Sequence, residues 1–269
     1  MRYIFDNDLH IHSNLSLCSE DANQTPENIL KYAKENNLKT ICLTNHFWDS
    51  DAGEAINWYN IQDYKHISAA KPLPQEDGIE FLFGCETEFD KDFRLGLNPL
   101  NYDKFDFIVI PTTHLHFRGF VVPDEDLSNE RKAQLWVERL EALFNMPLPF
   151  HKIGIAHLTT RCIDHINHEN LLKILNLIKD EDIERLMKKA AKLGCGIEIN
   201  CSDMGFDMSE ADTILRFYKI AKKCGCKFYC GSDAHGVATL NNAKEIFERA
   251  IDLLELTEDD KFILKREKI

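Results

Sequence analysis

Histidine and acidic residues recur along this chain in positions that suit the binding of divalent metal ions. His10 and His12 flank Ile11, so on a β-strand both imidazoles would point to one face, because side chains alternate with a period of two. Further residues of the same types follow short apolar runs, namely His46, Glu86, His114, His157, Asp233 and His235. Imidazoles and carboxylates that cluster without a basic counterweight require cations. The pattern predicts a multi-metal hydrolytic centre, and phosphate-ester hydrolysis is chemistry that such a centre favours.

The remaining histidines provide a contrast within the same chain. A single histidine at the end of a strand is more often an ordinary core or surface residue than a metal ligand. Eight metal-binding residues at successive strand ends would require that coincidence to repeat. Four histidines lie instead among polar residues and are interpreted as surface residues, namely His66, His151, His165 and His168. This difference favours the metal-binding interpretation for the first set.

Strands and helices that alternate along the chain would bring the candidate ligands together. Apolar runs rich in Ile, Val, Leu, Phe or Cys predict buried strands near residues 3–11, 39–44, 79–86, 105–112, 152–157, 195–200 and 226–231. Amphipathic stretches predict helices at about 25–37, 128–144, 181–193, 209–223 and 241–254. This alternation predicts an α/β fold, a single-domain barrel of about seven βα units over residues 1–269. The carboxyl ends of barrel strands share one face, where such enzymes place their sites.

The segment from Trp48 to Pro74 is long and mixed in character, and it is interpreted as a loop over the site. Trp48, Trp58 and Tyr59 lie on it. Two interpretations of these aromatic residues stay open, a lid that narrows the choice of substrate and a peripheral hydrophobic cluster.

Composition excludes several classes of protein. The formal net charge is −13 and no basic face is evident, which disfavours nucleic acid as a partner. No apolar run approaches 18 residues, which predicts no membrane span, and Asp6 comes too early for a signal peptide. A cytoplasmic protein is therefore expected. The nine cysteines are interpreted as reduced, mostly buried small hydrophobes.

The order of the motifs resembles that of the PHP (polymerase and histidinol phosphatase) superfamily. The resemblance rests on motifs that span nearly the whole chain, namely His10-x-His12, Thr44-x-His46, Gly84-x-Glu86, His114, Ala156-His157 and Gly231-Ser232-Asp233-x-His235. It implies a distorted (β/α)7 TIM-like barrel that holds two or three divalent metal ions, typically zinc, manganese or iron. It also implies a phosphoesterase that acts on a small phosphorylated substrate.

The resemblance further implies how the ligands divide among the metals. His10, His12, Glu86 and Asp233 would hold the first metal ion. Glu86 would bridge to a second ion, which His114 and His157 complete.

A third ion would take His46, His235 and one ligand from the segment after the first motif. The family usually has Asp or His at the position of Cys18, and a thiolate is a good zinc ligand. Glu20 and Asp21 are the alternatives. Asn45 stands where Asp is common in the family.

The mechanistic hypothesis is an in-line attack on phosphorus by a metal-bound hydroxide that bridges two ions. His116 continues a second His-x-His pattern and is a candidate proton donor, or else a packing residue. Arg118 and Arg161 each follow a predicted ligand by four residues and are candidates to bind phosphate, or else surface residues.

Other functions stay open at this point. Histidinol phosphatase is the named alternative, and a nuclease or nucleotide phosphatase is another. A metal-binding regulatory module without turnover is the alternative of a different class. The oligomeric state is not predicted.

Overall fold

The computed structural model describes residues 1–264, and every pairing between its strands is parallel. The strands are β1 (Asn7–Ile11), β2 (Thr40–Leu43), β3 (His46–Phe47), β4 (Glu80–Phe83), β5 (Cys85–Thr87), β6 (Ile108–Pro111), β7 (Ile153–Ala156), β8 (Gly196–Asn200) and β9 (Lys227–Gly231). One sheet has the order β1-β2-β4 and the other the order β3-β5-β6-β7-β8-β9. Burial on both faces explains why strands such as β6 and β7 are apolar throughout.

Two strands of the barrel are each broken into two pieces. β2 and β3 are separated by two residues, and β4 and β5 by Gly84 alone. A Cβ atom at Gly84 would lie 2.4 Å from the carbonyl oxygen of Phe107, so the backbone passes closer to its neighbour there than other residues allow. The nine strand segments therefore occupy seven strand positions in the barrel, in agreement with the number of predicted strands.

The order of neighbouring strands returns to its start, because β1 also lies beside β9. Ile11 and Ala234 form a parallel bridge. The amide of Asp233 donates to the carbonyl oxygen of His10 at 2.7 Å, and the amide of His12 donates to that of Ala234 at 3.1 Å. The fold is the predicted distorted (β/α)7 barrel.

Helices connect and surround the strands. They are α1 (Pro26–Glu35), α2 (Asn57–Asn60), α3 (Tyr64–Ile67), α4 (Asn129–Leu143), α5 (His168–Leu177), α6 (Asp180–Leu193), α7 (Cys201–Met204), α8 (Ala211–Lys223) and α9 (Val237–Leu253). The predicted start of α1 is confirmed, since Thr25 caps it by accepting from the amide of Asn28 and proline occupies its first position. α5 is absent from the predicted elements, although its buried Leu171, Ile174 and Leu175 have helical spacing.

The segment from Trp48 to Pro74 is more structured than the expected loop. It contains α2 and α3, and Trp48, Tyr59 and Ile67 are fully buried in the main core. Hydrophobic burial of these three side chains fixes the segment against the barrel. Trp58 is only half-buried.

The interior of the barrel is filled by its own small hydrophobic cluster, formed by Leu9, Cys42, Leu82, Phe107, Val109, Ala156, Tyr229 and Phe262. A much larger cluster packs the helices against the strands. Within residues 1–264, no helix combines the length and the hydropathy required to cross a bilayer. No disulfide forms among the described cysteines.

Candidate metal centre

All eight residues that the sequence predicts as metal ligands at strand ends lie in one cluster. Their ligand atoms fall into three groups in which every atom lies within 4.8 Å of the others: His10, His12 and Glu86; Glu86, His114 and His157; His12, His46 and His235. Asp233 adjoins the first group. Six of the eight residues are buried, and the side chains of Asp233 and His235 stay 23% and 32% exposed. The cluster therefore has one open side.

Four potential ligand atoms converge in the first group. The Nε2 atoms of His10 and His12 are 3.0 Å apart. Oε2 of Glu86 lies 3.6 Å from the first nitrogen and 3.4 Å from the second. Oδ1 of Asp233 lies 3.5 Å and 3.2 Å from the same two atoms.

Hydrogen bonds at Nδ1 of His10 and of His12 determine which ring nitrogen is available to bind a metal ion. Nδ1 of His10 donates to Oε1 of Glu198 at 2.6 Å. Nδ1 of His12 donates to the hydroxyl of Ser16 at 2.9 Å, because that hydroxyl donates its own proton to Oδ1 of Asn45 at 3.0 Å. A neutral imidazole held in this way presents an Nε2 lone pair. In the neutral state both Nε2 lone pairs therefore face the same two carboxylates, and two imidazoles with two carboxylates form the donor set of a divalent cation.

The second group repeats this arrangement around Oε1 of Glu86. Nε2 of His157 lies 3.3 Å from that oxygen and Nε2 of His114 lies 3.9 Å from it. Nδ1 of His157 donates to the hydroxyl of Thr113 at 3.0 Å, and Thr113 in turn donates to the carbonyl oxygen of His157. Nδ1 of His114 donates to Oε2 of Glu88 at 2.8 Å. Glu86 therefore lies between the two groups with one oxygen toward each.

The third group is the most open. The rings of His12 and His235 stack with centroids 4.1 Å apart, and Nδ1 of His235 donates to the carbonyl oxygen of Asp233. Nδ1 of His46 lies 2.8 Å from Oε2 of Glu86. Both of these atoms are buried, yet neither forms a well-oriented hydrogen bond with any residue of 1–264. A shared cation would satisfy both atoms.

The segment after the first motif does not join the third group. Cys18 and Glu20 are exposed. Asp21 caps α9, since its Oδ2 accepts from the amide of Val237 at 3.0 Å. None of these three belongs to the groups found among the described residues.

Burial and the surrounding charges move the pKa values of the cluster in opposite directions. Burial alone would raise the pKa of Glu86, but His46 and His10 hold it well below its ordinary range. Burial disfavours the imidazolium of His10, yet Glu198, Asp233 and Glu86 outweigh it and hold the pKa of His10 well above the ordinary value. Burial lowers the pKa of His235 to about 3. Protons and metal ions therefore compete for the first group far more than for His235.

Two candidate ligands lie on strained backbone. His157 has φ of 29° and Asp233 has φ of 52°, in the left-handed region that residues other than glycine seldom adopt. Such conformations persist where the surroundings impose them, and they concentrate at functional sites. Gly231 shows a related constraint, because a Cβ atom there would lie 1.9 Å from Oε1 of Glu198. Only glycine leaves room for the pairing of Glu198 with His10.

Three residues that accept hydrogen bonds from the candidate ligand imidazoles were not identified from the sequence. They are Ser16, Thr113 and Glu198. Glu88 also supports a candidate ligand, because it is fully buried and accepts from Nδ1 of His114. Glu198 ends a predicted strand, the same signal that found the other residues, and Oε2 also accepts from the amide of His157 at 2.7 Å.

The remaining candidates, Arg118, Arg161 and His116, lie outside the three groups. Arg118 has a side chain 44% exposed and pairs with Asp126. Arg161 is exposed and lines a small cavity with His168, Ser202, Asp203 and Glu210, none of which belongs to the metal groups. The ring of His116 lies beside that of His114, with centroids 5.3 Å apart. Burial lowers the pKa of His116 to about 3, so it is a neutral imidazole at neutral pH rather than an imidazolium acid.

A parallel α/β barrel with histidines and carboxylates at the carboxyl ends of its strands defines a class, the TIM-like metal-dependent hydrolases. The model of the PHP domain matches residues 8–202, and the chain belongs to the PHP family. This confirms the resemblance seen in the motifs.

One solved structure supports the assignment of the fold. The chain is similar to a histidinol phosphate phosphatase from Lactococcus lactis subsp. lactis Il1403, complexed with zinc, L-histidinol and phosphate, with a TM-score of 0.52 and 17% identity over 92% of this chain and 94% of that chain. A probable 2-pyrone-4,6-dicarboxylic acid hydrolase from Acinetobacter baumannii has a TM-score of 0.40 and 15% identity over 95% and 97% of the two chains. No curated protein matches the sequence.

Proposed function

We propose that this protein is a metal-dependent phosphoesterase that hydrolyses a small phosphorylated substrate. The observation that carries the proposal is the convergence of His10, His12, Glu86 and Asp233, whose facing ligand atoms lie 3.0–3.6 Å apart. Membership of the PHP family and the fold shared with a histidinol phosphate phosphatase support it.

The candidate ligands divide into sets that fit up to three divalent ions. His10, His12, Glu86 and Asp233 would hold the first ion, and Glu86, His114 and His157 the second. His46 and His235 would hold the third, and Cys18, whose thiol is influenced by the charges of Glu86 and Asp233, stays the candidate for its remaining ligand. Zinc, manganese and iron suit these ligands. Bound ions of this kind lower the pKa of coordinated water and offset charge on phosphate oxygens.

The chain itself supplies orientation for this reaction. In the net reaction one water adds to phosphorus, the ester P–O bond breaks, and the alcohol leaves with a proton. Glu198, Ser16, Thr113 and Glu88 hold the imidazole rings in one tautomer, so the geometry exists before substrate arrives. Arg118 is exposed and stays the candidate to contact the phosphate in place of Asp126.

The direct test combines metal analysis with a panel of substrates. Purified protein is loaded with zinc, manganese or iron, its metal content is measured, and phosphorylated metabolites are offered, histidinol phosphate and dinucleotides included. We expect bound metal and turnover of at least one phosphomonoester. His12→Ala and Asp233→Asn should lose both while staying folded, and full activity in either variant would contradict the proposal.

Two alternatives have distinct outcomes in the same panel. Histidinol phosphatase is favoured by the shared fold and would show histidinol phosphate as the preferred substrate by a wide margin. A metal-binding regulatory module would bind metal and hydrolyse nothing.

A further inference from the structure

A buried guanidinium reaches from α4 to the loops that follow β5 and β6. Arg139 is 1% exposed, and its guanidinium lies over the ring of Phe89, 5.2 Å from the ring centroid. Burial lowers the pKa of Arg139 to about 10, so the side chain stays protonated at neutral pH. A charge removed from water in this way is stable only if hydrogen bonds and an opposite charge compensate it.

Four hydrogen bonds of Arg139 join the two loops through their backbone. Nη2 donates to the carbonyl oxygen of Phe89. Nη1 donates to the carbonyl oxygens of Asp90 and Val121, each at 3.1 Å, and Nε donates to that of Thr112 at 2.9 Å. A guanidinium has five N–H groups in a fixed plane, and these bonds use Nε once, Nη1 twice and Nη2 once. The remaining N–H group is therefore on Nη2.

The same Nη2 atom faces the carboxylate of Glu88, which is the opposite charge. It lies 3.8 Å from Oε1 of Glu88, and Glu88 is 0% exposed. Oε1 also accepts from the amide of Phe89 at 2.9 Å. Oε2 accepts from Nδ1 of His114 at 2.8 Å and from the hydroxyl of Tyr59 at 3.0 Å. One carboxylate oxygen thus faces Arg139, and the other is left for His114.

We propose that Arg139 is a positioning residue for the second metal group and acts through Glu88 on His114. This inference rests on the proposed function, because it requires that His114 binds a metal ion. The guanidinium offsets the cost of burying the carboxylate, and its bonds to the two loops fix the direction from which it does so. A lysine ammonium keeps the charge but has three donors on one atom, which cannot serve four carbonyl oxygens and a carboxylate.

The test is a double-mutant cycle of Arg139→Lys and Glu88→Gln, read out as zinc affinity. Metal-free protein is titrated with Zn²⁺ against a chromophoric chelator, and nitrogen NMR of His114 identifies the second group. We expect Arg139→Lys to weaken zinc binding there by about 10-fold and to shift His114 away from its Nδ1–H form. In protein that already carries Glu88→Gln, the same substitution should cost less than about 2-fold more, because the group through which Arg139 acts is already altered.

Arg249→Lys is the matched control. Arg249 lies on α9 and donates to the carbonyl oxygens of Met204 at 3.1 Å and Phe206 at 3.0 Å. Its guanidinium lies over the ring of Phe206, 4.7 Å from the centroid, as that of Arg139 lies over Phe89. Arg249 is outside the metal groups, so this variant should leave zinc affinity and the tautomer of His114 unchanged.

The outcomes separate this inference from the proposed function. No loss of zinc affinity in Arg139→Lys, or equal losses with and without Glu88→Gln, would overturn the inference and leave the metal centre standing. His114 signals that do not respond to zinc in wild-type protein would overturn both. Zinc binding that follows the cycle, without turnover of any phosphate ester, would support the role of Arg139 and overturn the hydrolytic function.

A measurement on the unmodified arginine covers the case in which Arg139→Lys does not fold. The guanidinium signals of Arg139 are followed by nitrogen NMR while Zn²⁺ is added to wild-type protein. We expect the Nη2 signal to shift as His114 binds zinc, and Glu88→Gln should abolish this shift. A resolved Nη2 signal that stays in place while His114 binds zinc would overturn the inference.

Discussion

Glu198→Gln isolates the contribution of one buried carboxylate to the metal centre. Both oxygens of Glu198 accept hydrogen bonds, Oε1 from Nδ1 of His10 at 2.6 Å and Oε2 from the amide of His157 at 2.7 Å. A glutamine side chain has a single acceptor oxygen, and its NH2 group can only donate. One of the two bonds is therefore lost in either orientation of the amide. If the NH2 group faces His10, the ring is pushed to the tautomer that protonates Nε2, the atom expected to bind metal.

The expected effect on zinc affinity follows from the loss of one of the two charge-assisted hydrogen bonds that the Glu198 carboxylate accepts. Mutation of a residue that orients a metal ligand usually costs 10–100-fold in affinity, or about 1.4–2.8 kcal/mol. The measurement is a titration of metal-free protein with Zn²⁺ in competition with a chromophoric chelator. Nitrogen NMR of the histidine side chains reports the tautomer of His10 directly. We expect weaker binding at the first group and a shift of His10 away from the Nδ1–H form.

Glu210→Gln is the matched control for this variant. Glu210 accepts from Nε2 of His168 at 2.6 Å, the same distance as in the pair of Glu198 and His10, but this pair lies outside the metal groups. The control should leave zinc affinity unchanged. Wild-type zinc affinity in a folded Glu198→Gln protein would refute the reasoning that Glu198 holds the metal-binding tautomer.

Three further predictions address the surroundings of the centre. Tyr59→Phe removes the hydroxyl that donates to Oε2 of Glu88 at 3.0 Å, and it should weaken zinc binding by about 1 kcal/mol in the same chelator titration. Gly231→Ala places a methyl group 1.9 Å from Oε1 of Glu198, and it should lower the free energy of unfolding by about 1–3 kcal/mol in urea and also weaken metal binding. Burial raises the pKa of Asp203 from 3.8 to about 6, so the folded state favours the protonated carboxyl. Its contribution to stability is fully present below pH 3.8 and is lost as the pH rises through 6, about 3 kcal/mol in all, and Asp203→Asn should flatten that dependence in metal-free urea unfolding.

Each of these predictions has an outcome that contradicts it. Unchanged zinc affinity in Tyr59→Phe would show that Glu88 holds His114 without that hydroxyl. Gly205→Ala is the control for the glycine variant, because a Cβ atom at Gly205 meets nothing closer than 3.5 Å, and equal losses in both variants would exclude the steric argument. A wild-type pH slope in Asp203→Asn would assign the slope to other groups.

The sequence alone determined the architecture and the composition of the cluster. The strand ends at His46, Glu86 and His157 follow apolar runs, and parallel strands must bring their carboxyl ends to one face. A period of two places His10 and His12 on one side of a strand whatever else the chain does. Local rules of this kind need no knowledge of distant contacts.

Only the tertiary structure decided which nitrogen of each ring is free, and which residues hold it. Glu198 is 188 residues from His10 in the chain, and no local pattern signals their pairing. The same holds for His12 beside His46 and His235, where the packing of three strands, and not the spacing within one, sets the group. Trp58 and Tyr59 are neighbours in sequence but lie in different surroundings. The fold buries Tyr59 against Glu88 and leaves Trp58 beside His46. Contacts between distant strands depend on the closure of the barrel, which sequence patterns predict as a topology but not as coordinates.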